Sequence, residues 1–239
     1  MSRQKVRAPD LDANRQAALQ LTPVSRETLD RLDQYVVHLL TWQTKTNLIA
    51  PSTVSELWTR HIADSLQLID LVPNGRTWVD MGSGAGLPGL VIGCALADRP
   101  SAVVHLVESN AKKAAFLREA VRMTGAAAVV HAERMEDFVK RWEGPLDVIC
   151  ARAVAPIKLL LDQCFSLVQK NGVTALFPKG QNVQSELDEA SETWKMRTEL
   201  VPSRTAADSR IVIIRELERL PVSNKILTDS RTAKPGSPS

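Results

Sequence analysis

The residue types best suited to ligand chemistry lie in one short stretch, residues 77–90. An apolar run that ends at Met81 contains an acid, Asp80, and four glycines follow within eight residues. A strand, a glycine-rich turn and a helix in this order form the nucleotide-binding crossover of α/β folds. Glycine permits positive φ angles and lets a ligand approach the backbone. The stretch therefore predicts a nucleotide-like ligand.

Two ligands are compatible with this loop. Gly84, Gly86 and Gly89 match the dinucleotide pattern G-x-G-x-x-G, whereas Gly82, Gly84 and Gly86 match G-x-G-x-G behind Asp80. A pyrophosphate at a helix N-terminus is disfavoured by a negative charge just before the loop. The acid suits a cationic ligand such as S-adenosylmethionine, with its ammonium and sulfonium groups. The pattern favours this methyl donor, and an NAD-dependent oxidoreductase is the alternative.

Further polar residues follow the next two predicted strands. Glu108 ends the apolar run 103–108, at the spacing from the glycines where an acid reaches a ribose diol. Met135 and Glu136 follow the third predicted strand, residues 126–131. We expect Met135 to pack against a purine ring and Glu136, or backbone near it, to bind the exocyclic amine.

Two cations stand at the ends of the next strands. Arg152 closes the predicted strand 146–153, and Lys179 follows the strand 173–177. Open α/β sheets bind ligands at the carboxyl edge of their strands. This placement predicts a positioning role in catalysis for Arg152 and makes Lys179 a candidate phosphate contact.

Two predicted helices precede the glycine loop and form a helical cap over it. The first covers residues 22–43, and the second begins at Ser52. The second carries polar residues on one face, and residues four apart on a helix can pair. We therefore expect Arg60 to pair with Asp64, and His61 with Ser65.

Strands and helices alternate five times and end in two β-like runs, 197–201 and 211–214. This order predicts an α/β fold with a doubly wound, mostly parallel sheet and a final antiparallel strand pair, the layout of Rossmann-like class I methyltransferases. The predicted organisation is a flexible basic arm (1–21), the helical cap (22–72), a methyltransferase domain (73–220) and a disordered tail (221–239).

Composition narrows the class of protein. The chain has 239 residues, of which 44% are hydrophobic and 24% charged, and it contains no apolar run of membrane-spanning length and no secretion signal. Its three cysteines lie singly in apolar segments, which favours reduced thiols in the cytoplasm. No metal-binding spacing occurs, so we expect no metal. A net charge of +3 is compatible with an anionic partner.

The residues of the fourth predicted strand limit which kinds of atom could accept the methyl group. Methylation of pyrimidine C5 needs a cysteine nucleophile there, but Cys150 lies between Ile149 and Ala151 and is expected to be buried. Exocyclic amines commonly need an Asn/Asp-Pro-Pro-aromatic turn, which is absent. A ring nitrogen such as guanine N7 has a free lone pair and needs no general base. A ring nitrogen or a small-molecule acceptor therefore remains.

Several segments, in order from about residue 22 to 216, resemble the bacterial 16S rRNA guanine-N7 methyltransferases, also called glucose-inhibited division protein B. These segments are Asn47-Leu48-Ile49, Arg60-His61-Ile62-Ala63-Asp64-Ser65-Leu66, the loop from Asp80 to Gly89, Lys113 to Leu117, Arg134-Met135-Glu136, Arg152-Ala153 and Lys179-Gly180. The Arg-His-Ile-x-Asp-Ser segment together with the Gly-Leu-Pro-Gly loop is specific in combination.

The resemblance implies that S-adenosylmethionine is bound by Gly82, Leu87, Met135, Glu136 and Arg152, and that the target is a guanine in a conserved loop of 16S rRNA. From position alone we add Asp80 for the methionine end and Glu108 for the ribose. The expected RNA contacts are Arg60, His61, Arg134 and Lys179.

Aromatic residues make up only 4% of the chain, too few for a base-stacking platform. We therefore expect a monomer that acts on 16S rRNA within the small ribosomal subunit or an assembly intermediate. A non-catalytic RNA-binding protein on the same fold is the second alternative.

Overall fold

The computed structural model describes residues 8–169 and 172–221. Its centre is a seven-stranded sheet in the order β3-β2-β1-β4-β5-β7-β6. The strands are β1 (Thr77–Met81), β2 (Val103–Val107), β3 (Ala128–His131), β4 (Val148–Cys150), β5 (Thr174–Lys179), β6 (Trp194–Pro202) and β7 (Arg210–Arg219). β1 to β5 run parallel, and β7 is antiparallel to both β5 and β6. The predicted mostly parallel sheet with a final antiparallel pair is confirmed.

Eight α-helices in the described part of the chain cover the sheet. They are α1 (Ala8–Leu21), α2 (Arg26–Gln43), α3 (Asp64–Leu71), α4 (Gly89–Ala95), α5 (Ala111–Thr124), α6 (Met135–Arg141), α7 (Ile157–Val168) and α8 (Val183–Ser191). None of these helices has the length and apolar character needed to cross a membrane.

The sheet separates two hydrophobic layers. Alternate side chains of the fully buried strand β1 enter opposite layers, Trp78 on one side and Val79 on the other. The layer with Trp78 also contains Leu32 and Tyr35 of α2, so the helical cap and the sheet share one core. The strand order reverses between β1 and β4, and α/β folds bind ligands in the crevice at this switch point.

The helical cap differs from its prediction in detail. Helix α2 begins at Arg26, because the Ser25 hydroxyl accepts a hydrogen bond from Thr28 N and caps the helix. The second predicted helix is instead a 3₁₀ turn (Pro51–Glu56), a π-helical turn (Trp58–Ala63) and α3. π-helical turns occur often at functional sites.

The expectation of a flexible arm over residues 1–21 is wrong for residues 8–21, which form α1. The Asn14 side-chain oxygen accepts hydrogen bonds from Trp58 N and Thr59 N at 2.8 and 3.1 Å. It thereby satisfies two amides that would lack partners at the start of the π-helical turn. Residues 1–7 and most of the predicted tail, 222–239, lie outside the described residues. The boundaries of the cap and of the methyltransferase domain stay predictions.

Candidate active site

The glycine loop follows β1 at the carboxyl edge of the sheet. Gly82, Gly84 and Gly86 have φ angles of +67°, +54° and +89°, which L residues rarely adopt. The buried hydroxyl of Tyr35, on α2, donates a hydrogen bond to the Ala85 carbonyl at 2.6 Å. The helical cap thus fixes the conformation of the loop directly.

Two backbone amides of the loop donate to carboxylates of the protein itself. Gly84 N donates to Glu108 Oε2 at 2.8 Å, and Gly89 N donates to Asp80 Oδ2 at 3.1 Å. A pyrophosphate at this loop would need these amides and would meet both negative charges. The geometry therefore disfavours a dinucleotide and suits a ligand with positive charge.

Asp80 lies beneath the loop and is fully buried. Its burial raises the pKa of the carboxyl from 3.8 to about 6, although hydrogen bonds to Ser83 and Gly89 N oppose this shift. A Cβ on Gly89 would lie 2.6 Å from the Asp80 side chain, so only glycine fits there. Asp80 therefore holds the loop from behind. Its expected contact with the methionine end of the ligand stays a prediction.

Glu108 stands directly after β2, beside the loop. Its Oε1 accepts a hydrogen bond from Asn110 N at 2.7 Å, and its Oε2 accepts from Gly84 N. The residue is 7% exposed. Because each carboxylate oxygen has two lone pairs, Glu108 keeps acceptor capacity for ribose hydroxyls. Its contact with a ribose stays a prediction.

The other predicted ligand residues follow β1 and β3 at the carboxyl edge of the sheet, Gly82 and Leu87 in the glycine loop and Met135 and Glu136 at the start of α6, and the region between these two segments is here called the donor crevice. Gly82 is exposed, whereas Leu87 and Met135 are buried, and Met135 packs with Phe138 in the second hydrophobic layer. Glu136 is exposed and accepts a hydrogen bond from Gln163 Nε2 at 3.1 Å. The exposed backbone of Gly82, the carboxylate of Glu108 and the apolar side chains of Leu87 and Met135 offer the kinds of contact that S-adenosylmethionine requires.

Arg152 lies just beyond β4 and joins this strand to the helical cap. Its guanidinium donates to Asp64 Oδ2 at 3.2 Å, to the Arg60 carbonyl at 2.9 Å and to His61 Nδ1 at 2.9 Å. The Arg152 side chain is only 15% exposed. Three acceptors in different directions fix the plane of the guanidinium at the edge of the sheet.

The contact with Arg152 defines the protonation of His61. Because arginine only donates, Nδ1 must accept, so the ring proton is on Nε2. Nε2 lies 2.8 Å from Thr53 Oγ1, whose hydroxyl donates to the Ala50 carbonyl. Burial, together with the charges of Arg152 and Arg60, lowers the pKa of His61 to about 3. His61 is therefore neutral and does not offer a charge to phosphate.

Asp64 connects three parts of the chain. Its Oδ1 accepts from Thr205 Oγ1, in the β6–β7 loop, at 2.8 Å, and its Oδ2 takes Arg152. The expected pair between Arg60 and Asp64 does not form, because Arg60 pairs with Glu56 at 3.3 Å instead. The other expected pair exists only through the backbone, since Ser65 Oγ donates to the carbonyl oxygen of residue 61.

A cleft of about 620 Å³, here called the acceptor cleft, opens beside Arg152. Its walls come from the π-helical turn, residues 152–156, residues 178–180, Glu186 and the segment 203–211. Lys179 lines it, donating to the Ala155 carbonyl at 2.7 Å and pairing with Glu186 at 2.8 Å. Of the four expected RNA contacts, Arg60, His61 and Lys179 line the cleft, whereas the exposed Arg134 does not.

Sequence reasoning missed several residues of this site, including Tyr35, Glu186 and Thr205. Two of them have partners that are distant in sequence: Tyr35 and Ala85 are 50 positions apart, and Thr205 and Asp64 are 141 apart. None lies in a recognisable motif, so no local signal was available. Only the strand order, which places the β6–β7 loop beside β5, could have pointed to Thr205.

Comparison with solved structures is consistent with this fold. An O-methyltransferase from Bacillus cereus, solved in complex with SAH, superimposes with a TM-score of 0.55 over 85% of this chain and 97% of that one, at 12% identity. A protein from Corynebacterium glutamicum gives a TM-score of 0.52 over 77% and 90%, at 18% identity. The predicted Rossmann-like class I methyltransferase fold is confirmed.

Relatives by sequence are far more similar. One from Bradyrhizobium sp. (strain BTAi1), named Ribosomal RNA small subunit methyltransferase G, is 56% identical over 207 residues, or 87% of this chain and 93% of that protein. One of the same name from Nitrobacter hamburgensis is 53% identical over 90% of this chain and 82% of that protein. A family model described as rRNA small subunit methyltransferase G matches residues 28–212. The chain therefore belongs to the rRNA small subunit methyltransferase G family, whose members use S-adenosylmethionine.

Proposed function

We propose that the protein transfers the methyl group of S-adenosylmethionine to N7 of a guanine in 16S rRNA, by in-line displacement and without a covalent enzyme intermediate. Family membership supports the methyl donor and rRNA of the small subunit as the acceptor. The observation that carries the choice of N7 is that, among the described residues that line the acceptor cleft, every titratable acceptor already has a partner and none is a cysteine.

Each titratable acceptor in the cleft is already engaged. Asp64 binds Arg152, and Glu186 binds Lys179. His61 has hydrogen-bond partners at both ring nitrogens, and its lowered pKa keeps it neutral. An acceptor that must lose a proton before attack would find no base here. The lone pair of guanine N7 needs none.

A cysteine mechanism also lacks support. Cys150 is fully buried in β4, and its Sγ donates to Asp80 Oδ1 at 3.8 Å. Burial raises the pKa of this thiol well above its ordinary value, and the nearby Asp80 charge adds to the effect. A covalent step would need an exposed thiolate.

The donor supplies an activated methyl group on a sulfonium, and the protein supplies alignment. In this proposal Gly82 and Leu87 contact the donor, Asp80 serves its methionine end, and Glu108 binds the ribose. Met135 with Glu136 binds the purine. Arg152 is held between the donor crevice and the acceptor cleft, where it positions the reacting groups. When two bound reactants are held in line, the entropic cost of bringing them together is met on binding and no longer adds to the reaction barrier.

The RNA is proposed to be read within the small ribosomal subunit or an assembly intermediate, because the chain has few aromatic residues to stack unpaired bases. A monomer that acts in the cytoplasm is part of the same proposal.

The test is tritiated methyl transfer to small-subunit particles from cells that lack the methyltransferase gene. We expect label in 16S rRNA, and cleavage chemistry specific for 7-methylguanosine should map it to one nucleotide. Label at another atom of the base would contradict the N7 assignment. Label in a low-mass fraction would indicate a small-molecule acceptor, and no label at all would favour a non-catalytic RNA-binding protein.

The oxidoreductase alternative has its own test. Calorimetric titration should detect binding of S-adenosylhomocysteine and no binding of NADH, because the loop amides of Gly84 and Gly89 already bond carboxylates. NADH binding without any response to S-adenosylhomocysteine would overturn the methyltransferase assignment.

A further inference from the structure

We infer that Arg210, at the start of β7, binds a backbone phosphate of the RNA in the acceptor cleft. The inference rests on the proposed function, since it concerns the substrate of the same site. Arg210 lines the acceptor cleft together with three other cations, Arg60, Arg152 and Lys179. Each of those three pairs with a carboxylate at 2.8–3.3 Å. Arg210 has no such carboxylate partner among the described residues.

The hydrogen bonds of Arg210 leave one edge of its guanidinium available. Nη1 donates to the carbonyls of Ala207 and Ser209 at 2.7 and 2.9 Å, which uses both of its hydrogens. Within residues 8–169 and 172–221, Nε and Nη2 have no hydrogen-bond partner. These two nitrogens form the side-on fork that binds phosphate through two parallel hydrogen bonds. The two carbonyls therefore orient the guanidinium and leave its phosphate-binding edge unused.

The strand register adds a second reason to expect an anion. Arg210 is directly opposite Lys179 in the antiparallel pair of β5 and β7. Residues opposite each other in an antiparallel sheet project from the same face, and like charges in this arrangement repel. Glu186 compensates Lys179, but nothing described compensates Arg210. An anion bound beside these two side chains would relieve the repulsion.

The chemistry of the site points to an RNA phosphate in particular. In the proposed function this cleft receives the rRNA, since the chain belongs to an rRNA methyltransferase family. Phosphate contacts position an RNA without reading its sequence. Sequence reasoning nominated Arg60, His61 and Lys179 in this region, but their local partners neutralise or occupy them. Arg210 lies directly before the predicted β-like run 211–214 and belongs to no sequence motif, so the sequence did not indicate it.

The experiment measures methyl transfer to small-subunit particles by the full-length protein over a range of salt concentrations. Arg210→Ala should raise KM for the particle on the order of tenfold, with kcat nearly unchanged. The slope of log kcat/KM against log salt should become shallower by about 0.7, as expected when one phosphate contact is lost. Arg210→Lys should retain the salt slope and recover only part of KM, because lysine keeps the charge but not the fork.

The matched control is Arg215→Ala. Arg215 lies on the same strand, is exposed, and pairs with Glu199 outside the cleft. Its loss should leave KM and the salt slope unchanged. Thermal unfolding and S-adenosylhomocysteine binding of each variant would identify any folding defect.

Failure of this inference can be distinguished from failure of the proposed function. If the wild type methylates particles and Arg210→Ala behaves like it, or loses kcat without a change in KM or salt slope, Arg210 is not a phosphate contact. If the wild type shows no methylation, filter binding of 16S rRNA decides the inference. Weaker binding with a shallower salt slope for Arg210→Ala supports the contact, and unchanged binding overturns it.

Discussion

The guanidinium of Arg152 donates a hydrogen bond to His61 Nδ1 at 2.9 Å. This bond fixes the tautomer of the imidazole, because an arginine can only donate. Burial, together with the charge of Arg152, lowers the pKa of His61 and keeps the ring neutral. A residue that the sequence suggested as an RNA contact therefore serves to orient another residue. Through this bond the helical cap determines where Arg152 stands relative to the donor crevice.

Arg152→Ala and Arg152→Lys should both lower kcat/KM for particle methylation, by on the order of 10²-fold, because misplacing a positioning group has effects of this size. Lysine should not rescue, since one ammonium cannot reproduce a planar fork with three acceptors. Cys150→Ala should stay within a few-fold of the wild type, because the thiol is buried. Steady-state transfer assays compare kcat/KM of these variants. A larger loss for Cys150→Ala than for Arg152→Ala would support a cysteine mechanism.

The contact of Asp64 with Arg152 should also stabilise the fold. Both side chains are largely buried, at 14% and 15% exposure, and leaving either one unpaired carries a desolvation cost. We expect Asp64→Ala to lower the free energy of unfolding by about 2–3 kcal/mol. In a double-mutant cycle with Arg152→Ala, the coupling should be about 1–3 kcal/mol by urea denaturation. Additive effects would show that the two residues act independently.

Much of the fold could be predicted from the sequence because its signals are local. The apolar runs of β1 and β2 and the glycines after Asp80 determine a strand, a turn and a helix within a few residues. The alternation of such units then predicts a parallel sheet. The predicted strands matched those observed, with ends displaced by a few residues, since strand ends depend on neighbouring strands.

The site was predictable only in part, for a physical reason. Local pattern placed Arg152 and Lys179 at the correct edge of the sheet, but it could not show their partners. Arg60 has acids four residues away on both sides, Glu56 and Asp64, and spacing alone does not choose between them. Arg60 pairs with Glu56 because the Asp64 carboxylate is already bound by Arg152, which lies 88 positions away in the sequence.

The raised pKa of Asp80 predicts a pH dependence of stability. Between pH 4 and 6 the native state keeps the Asp80 proton that the unfolded chain releases, so the free energy of unfolding falls as pH rises through this range. Above pH 6 the free energy of unfolding stays lower than below pH 4 by a constant amount, about 3 kcal/mol for a pKa shift of this size. Asp80→Asn, which cannot ionise, should lack this decline.

Urea denaturation of the wild type and Asp80→Asn at several pH values measures the effect. The lowered pKa of His61 acts in the opposite direction in the same pH range, so only the difference between the two proteins reports on Asp80. A difference that does not change between pH 4 and 7 would mean that the carboxyl has an ordinary pKa in the folded protein.

Glu108→Ala should weaken binding of S-adenosylmethionine with the fold intact. The carboxylate holds Gly84 N and Asn110 N and is proposed to bind the ribose, and charge-assisted hydrogen bonds contribute roughly 1.5–3 kcal/mol. Affinity should therefore fall by roughly ten- to a hundredfold in calorimetric titration. Glu143→Ala, an exposed acid away from the loop, is the control. Unchanged affinity would make Glu108 a structural cap only.

Gly82→Ala and Gly125→Ala separate backbone strain from ligand contact. The two glycines have nearly equal φ angles, +67° and +64°, so an added Cβ should lower the free energy of unfolding by about 1–2 kcal/mol in each. Gly125 ends α5 in open space, whereas Gly82 is exposed in the glycine loop, where an added Cβ would lie 3.0 Å from Val154 of the acceptor cleft. Only Gly82→Ala should therefore lose affinity for S-adenosylhomocysteine.

If both variants bind it as the wild type does, the ligand does not approach the backbone at Gly82. If both lose affinity equally, the loss reflects general destabilisation and not contact with the loop.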